Sequence, residues 1–117
     1  MALSLGQQAE EIAAQYLLGK GYSILKRNHR TRLGEIDIVA QDGATFVFVE
    51  VKSGVESDAF LPREHFTPEK LGRVRRLAEA YLASVPGALE ARIDLIEIIQ
   101  CGPTFKIDHF ESVNEDI

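Results

Sequence analysis

The chain contains a single cysteine, Cys101, and that scarcity excludes two classes at once. It leaves no intrachain disulfide and no multi-cysteine metal cluster. A lone thiol at a strand end, next to Gly102 and Pro103, reads as inert, because reactivity needs a depressed thiol pKa. There is also no apolar run long enough to span a membrane, and the first residues lack the basic and apolar regions of a signal peptide. Cytoplasmic residence, with no membrane partner, is therefore the expectation. Repeats, linkers and low-complexity segments are missing as well. The 117 residues suit one domain with one core, taken as 1–110, followed by an acidic tail over 111–117.

Positive charge is in deficit: 13 Lys and Arg stand against 18 Asp and Glu, a net charge of −5. That total argues against avid, nonspecific nucleic-acid binding. The distribution is more permissive. Lys20, Lys26, Arg27, His29, Arg30 and Arg32 form one basic cluster, and Lys70, Arg73, Arg75 and Arg76 form a second. Both flank, in sequence, the most unusual stretch of the chain.

That stretch is Gly34-Glu35-Ile36-Asp37-Ile38-Val39, followed after a short break by Phe48-Val49-Glu50-Val51-Lys52. It sets carboxylates and a lysine inside two strongly β-forming runs. Asp42-Gly43 between such runs is a hairpin signal. A two-residue turn at Asp42-Gly43 sets Gln41 opposite Ala44, Asp37 opposite Phe48 and Glu35 opposite Glu50. Glu35, Asp37 and Val39 then share a face with Phe46, Phe48, Glu50 and Lys52, while Ile36, Ile38, Val47, Val49 and Val51 occupy the other. Asp37 and Glu50 become diagonal neighbours with alpha carbons roughly 7–8 Å apart. Two carboxylates so placed can share one Mg²⁺ or Mn²⁺, which takes one or two protein carboxylates and otherwise keeps water or phosphate oxygens. Glu35 opposite Glu50 is a like-charge pair that a cation or Lys52 would offset. The same spacing also fits a polar, solvent-facing side of a sheet. The apolar residues on both faces argue instead for a cleft.

The rest of the chain supplies a scaffold. Leu5, Ala9, Ile12, Ala13, Tyr16 and Leu17 recur at helical spacing and predict a helix over about 3–19, with Ser4 at its start and Gly19-Lys20-Gly21 at its end. On that helix Glu10 borders the apolar stripe and Glu11 points away. Strands are expected at 22–27, 34–41 and 44–52. An aperiodic loop over 53–66 reads as a flap. Thr67-Pro68-Glu69 starts a second helix, whose buried stripe is Leu71, Val74, Ala78, Tyr81 and Val85. Arg92–Ile99 reads as a buried strand and Thr104–Phe110 as an edge strand, with a frayed tail beyond. The order α-β-β-β-α-β implies an α/β or α+β fold with a mixed central sheet flanked by helices.

An acid on the first helix, an aspartate on one strand and Glu-x-Lys on the next resemble the PD-(D/E)XK superfamily of restriction-endonuclease-like folds. The chain is more closely similar to the small YraN-type family of bacterial proteins, which are predicted endonucleases akin to Holliday-junction resolvases. Gly6 through Glu10, Gly21-Tyr22, Asn28, Arg30, Glu35 through Ile38, Glu50-Val51-Lys52, Lys70 and Arg92-Ile93-Asp94 carry the likeness. Glu35, from the hairpin spacing, is a candidate additional acid. The resemblance implies Asp37 and Glu50 as metal ligands, Lys52 as the active-site lysine and Glu10 as the helix acid. It implies a Mg²⁺- or Mn²⁺-dependent nuclease acting on DNA, more readily than RNA, with branched or junction DNA as the suggested target and a homodimer as the suggested assembly. Lys26, Arg27, Arg30, Arg32, Lys70, Arg73 and Arg76 would then contact phosphates without reading bases. The alternative is a non-catalytic module that binds nucleic acid or protein on the same fold.

Overall fold

The computed structural model describes residues 2–56, 66–88 and 90–116. Helix α1 covers Leu5–Gly19. Ser4 caps it reciprocally: its Oγ accepts from Gln7 N at 3.1 Å, and Gln7 Oε1 accepts from Ser4 N at 2.9 Å. This capping box satisfies two backbone donors that the first turn would otherwise leave open. Gly21, at φ 92, turns the chain sharply away at the other end. The buried face of α1 is mostly small, with Ala9, Ala13 and Ala14 beside Leu17, which lets the helix lie close on the sheet.

Five strands follow: β1 (Ser23–Thr31), β2 (Gly34–Asp42), β3 (Thr45–Val55), β4 (Glu90–Cys101) and β5 (Thr104–Phe110). They lie in sequence order across one sheet. All neighbours are antiparallel except β3 and β4, which run parallel. A parallel pair needs a crossover, and helix α2 (Pro68–Ala83) lies between those strands in the chain. Thr67 caps α2, its Oγ1 accepting from Lys70 N at 3.3 Å, with Pro68 in the first turn. Each helix covers one face of the sheet. Ala9, Ala13 and Leu17 pack on Ile38, Ala40, Val47, Val49, Ile96 and Ile98. Leu71, Val74, Leu77 and Ala78 pack on Ile36, Val39, Phe46, Phe48 and Ile93. The fold is thus α+β with a five-strand mixed sheet, consistent with a restriction-endonuclease-like core.

Several expectations need correction. The first strand does not stop at Arg27 but runs to Thr31, so most of the first basic cluster is strand. Strand β3 continues through Ser53 and Gly54 to Val55, because its parallel partner β4 keeps offering a ladder as far as Gln100. The remainder of the expected flap, residues 57–65, lies outside the described residues. The tail is docked rather than frayed. Ser112 N donates to Asp94 Oδ1 at 3.0 Å, and Ile93 N donates to Asn114 Oδ1 at 3.0 Å. A short 3₁₀ turn over Val113–Asp116 closes the segment.

The hairpin turn is also displaced. Asp42 pairs with Thr45, leaving Gly43-Ala44 as the connection, and Gly43 has φ 61. A positive φ at the first central residue suits a type II′ turn with glycine there, whereas a turn centred on Asp42-Gly43 would ask the same of Asp42. The register moves by two residues relative to expectation. An even shift keeps each side chain on its face, so the displacement alone does not scatter the acids.

Candidate functional site

The β2–β3 ladder ends at the pair Ile38–Val49. Beyond it β2 stays paired with β1 down to Gly34, while β3 stays paired with β4 up to Val55. The two strands therefore part, and the next residues on either side of the fork are Asp37 and Glu50. They are immediate neighbours rather than the expected diagonal pair. Asp37 Oδ2 accepts a hydrogen bond from Val51 N at 2.8 Å, so a side chain replaces the backbone partner lost where the ladder opens.

The fork also interrupts the alternation of faces. Ile38 packs under α1 but Ile36 packs under α2. On β1, Arg27 meets Glu11 of α1, whereas His29 stacks edge-on against Tyr81 of α2 at 5.4 Å. A regular strand would keep each such pair on one side. The reversals fall at Asp37 and at Asn28, whose φ of 53 is left-handed. Ile36 therefore does not share the face of Ile38 as expected, and Glu35, Asp37 and Val39 do not form one row. Glu35 turns to Arg30, at 3.3 Å, and is not opposed to Glu50.

Four of the expected acids nonetheless come together electrostatically. Burial pushes the Glu50 carboxyl up to about 7, and the neighbouring Asp37 charge adds to that rise. Burial likewise raises Asp37. Both carboxyls, side by side in a sheltered site, are thus harder to ionise than usual. Glu10 is raised by burial and then by the charges of Asp37 and Glu35. Lys52 Nζ lies 3.7 Å from Glu50 Oε1, both side chains largely sheltered. Glu11 departs from expectation: it reaches the sheet, with Oε2 at 2.8 Å from Arg27 Nη1.

Two sheltered carboxyls that resist ionising side by side fit a divalent cation well, since the ion would offset the negative charge that burial disfavours. Asp37 and Glu50 are the residues able to hold it. Beside them a hollow of about 510 Å³ is lined by Glu10, Glu11, Arg27, Asn28, Arg30 and Glu35.

The basic residues divide. Arg27 and Arg30 border that hollow. Lys26 lies on the other side of β1, where with His29, Thr31, Tyr81 and Ser84 it lines a groove of about 340 Å³ against α2. Alternation along β1 thus splits one sequence cluster across two surfaces. Arg73 lays its chain along Gly34, with Cδ 3.4 Å from where a Cβ would stand. Arg32 and Arg76 are exposed, and Lys70 is half-buried at the start of α2. Arg75 donates to Asn114 O at 3.2 Å.

Two buried acids escaped sequence reasoning as site features. Glu97 is almost fully buried and lies beside Lys52 in the parallel ladder. An acid within the β-branched run of β4 was the available signal. Asp94 is fully buried. It accepts from His109 Nε2 at 2.7 Å, Arg92 Nε at 3.1 Å and Ser112 N. The hydrogen bonds from His109 and Ser112 and the Arg92 charge outweigh burial and hold its pKa below the usual carboxylate value. Asp94, His109 and Glu111 offer three ligand atoms within 4.8 Å of one another. Arg92 already supplies the cation there, bonding Asp94 and approaching Glu111 at 3.5 Å. We read this cluster as the anchor of β5 and the tail.

A family model described as an uncharacterised protein family, UPF0102, matches residues 9–98, which take in most of α1, all of α2 and the acidic fork. The chain belongs to UPF0102. Its UPF0102 relatives extend over nearly their whole lengths. A protein of Pseudothermotoga lettingae is 43% identical over 108 residues, covering 92% of this chain and 95% of its own. One from Thermotoga maritima is 43% identical over 107 residues, covering 92% and 94%. A third, from Syntrophomonas wolfei, is 42% identical over 110 residues, covering 93% and 96%. All three are called only UPF0102 proteins. Among the described residues of this UPF0102 member, no helix is long and apolar enough to cross a membrane.

Proposed function

We infer that this UPF0102 protein is a metal-dependent nuclease that hydrolyses phosphodiester bonds in DNA. The observation that carries this reading is the fork between β2 and β3, which sets the Asp37 and Glu50 carboxyls side by side with the Lys52 ammonium 3.7 Å from Glu50 Oε1. Mg²⁺ or Mn²⁺, when bound, supplies charge stabilisation at a phosphate oxygen and an acidified water. The chain's own groups do the rest. Asp37 and Glu50 present ligating oxygens, and Glu50 must release its proton to do so. The Val51 N–H holds Asp37 in orientation. Lys52 sets a positive charge where a phosphorane would carry extra negative charge. Glu10 brings a further carboxylate to the same hollow, on the side that faces α1. Arg27 and Arg30, at its rim, would leave their acidic partners Glu11 and Glu35 to meet flanking phosphates on a branched or duplex substrate.

The discriminating assay incubates branched, duplex and single-stranded DNA with Mg²⁺ or Mn²⁺. Wild type is compared with Asp37→Ala and Lys52→Ala. Nicking by the wild type that both substitutions abolish supports the enzyme. DNA binding without nicking, unaltered by either substitution, identifies a binding module instead.

A further inference from the structure

Glu10 from α1 and Glu35 from β2 converge on the hollow beside the fork, near enough to Asp37 that its charge and that of Glu35 both raise the Glu10 carboxyl. Convergence of this kind is repulsive and needs something to hold it. We propose that Asn28 is the positioning residue of the acidic site, holding Glu10 and Glu35 on the two donors of one side-chain amide. This rests on the cation-binding reading of the site given above.

The geometry comes from an unusual backbone. Asn28 lies in β1 with φ 53, the left-handed region that L residues avoid and that asparagine tolerates best among non-glycine residues. That twist reverses the strand locally and carries the amide to the α1 side, next to Arg27 rather than opposite it. Its nitrogen donates to Glu10 Oε1 at 2.6 Å and to Glu35 Oε1 at 3.0 Å. The opposite orientation would set the amide oxygen against two acceptors, so the hydrogen-bond pattern selects this one. The flanking β1–β2 pairs are Arg27–Ile38 and His29–Ile36, which places Asn28 across from Asp37. One amide thus ties the first helix to the strand that bears the Asp37 carboxylate.

The choice of a neutral donor has a physical consequence. A lysine here would also gather the acids, but it would cancel the charge that attracts a cation. An amide organises the carboxylates by using one lone pair of each and leaves their negative charge intact. Fixing ligands through neighbouring hydrogen bonds is how outer groups tune metal affinity.

Asn28→Gly separates positioning from folding. Glycine accepts φ 53 without strain, so the metal-free variant should keep a single cooperative urea transition, its midpoint lowered only by the loss of the two hydrogen bonds. Mn²⁺ affinity, read by electron paramagnetic resonance of the free ion, should fall about 10- to 100-fold. In a Glu10→Ala background the same change should cost much less, because one of the two tethered acids is gone. Wild-type Mn²⁺ affinity in Asn28→Gly, with binding lost in Asp37→Ala, overturns the positioning role and leaves the metal site standing. Absence of Mn²⁺ binding by the wild type overturns both. Independently of metal, the Asn28 side-chain amide protons should shift in NMR spectra of Glu10→Gln and Glu35→Gln. If neither substitution moves them, the tether does not exist.

Discussion

Replacing Glu50 by glutamine should make the metal-free protein more stable at alkaline pH while leaving it nearly unchanged in acid. Glu50 is held at about 7 in the fold against 4.5 ordinarily, chiefly because it is buried and secondarily because Asp37 faces it. The folded state therefore keeps a proton that the unfolded chain has already released. Stability must fall as pH rises from 4.5 to about 7, and level off above that. At about 1.4 kcal/mol per pKa unit, the penalty on the folded state above neutrality is about 3 kcal/mol. Glutamine carries no charge to lose and retains a donor for Asp37, so Glu50→Gln should escape most of this penalty. The measurement is urea unfolding in EDTA across about pH 5 to 8, wild type beside variant, read as the difference between the two curves. The gap should open with pH and approach the stated value. Adding Mn²⁺ at the upper end should rescue wild type far more than Glu50→Gln. Parallel curves would refute the claim that Glu50 is squeezed against Asp37 in the fork.

The remaining predictions concern anchors and surface charge. Asp94→Ala should cost about 3–5 kcal/mol in denaturant unfolding, because it strips a fully buried partner from Arg92 and His109. The wild-type contribution of Asp94 should be present above pH 3.8 and be lost as acid carries the protein through its lowered pKa, as pH-dependent unfolding would record. Arg30→Ala should change stability by less than about 1 kcal/mol, since the Arg30 side chain is 78% exposed in its pair with Glu35. If Arg30 meets a phosphate, the same change should reduce the slope of log DNA affinity against log salt by about one, measured by fluorescence anisotropy.

Element identities were legible because their signals are local. The apolar spacing of α1, the Thr67-Pro68 start of α2 and the β-branched run of β4 each predict their own structure, and the structure agrees within a few residues. The hairpin was legible too, and its displacement by two residues preserved side-chain faces. What failed was any inference that carried strict alternation through residues 28 and 37. Nothing in the local pattern marks where β2 leaves β3, since that point is set by which outer strand each continues to follow. Glu11 illustrates the same limit. The helical wheel pointed it away from the core correctly, but long β1 rises past α1 and offers Arg27 to it.

By itself the sequence determined the repertoire: two amphipathic helices, five strands, and acids and a lysine embedded in β-forming runs. Those properties follow from periods of 3.6 and 2, which neighbouring residues enforce on one another. Only the tertiary structure decided that Asp37 and Glu50 meet at a fork, that Glu10 reaches them from α1, and that the basic residues of β1 divide between two surfaces. These depend on strand pairings and helix placements between residues far apart in the chain, where burial and charge act across space and no local periodicity records them.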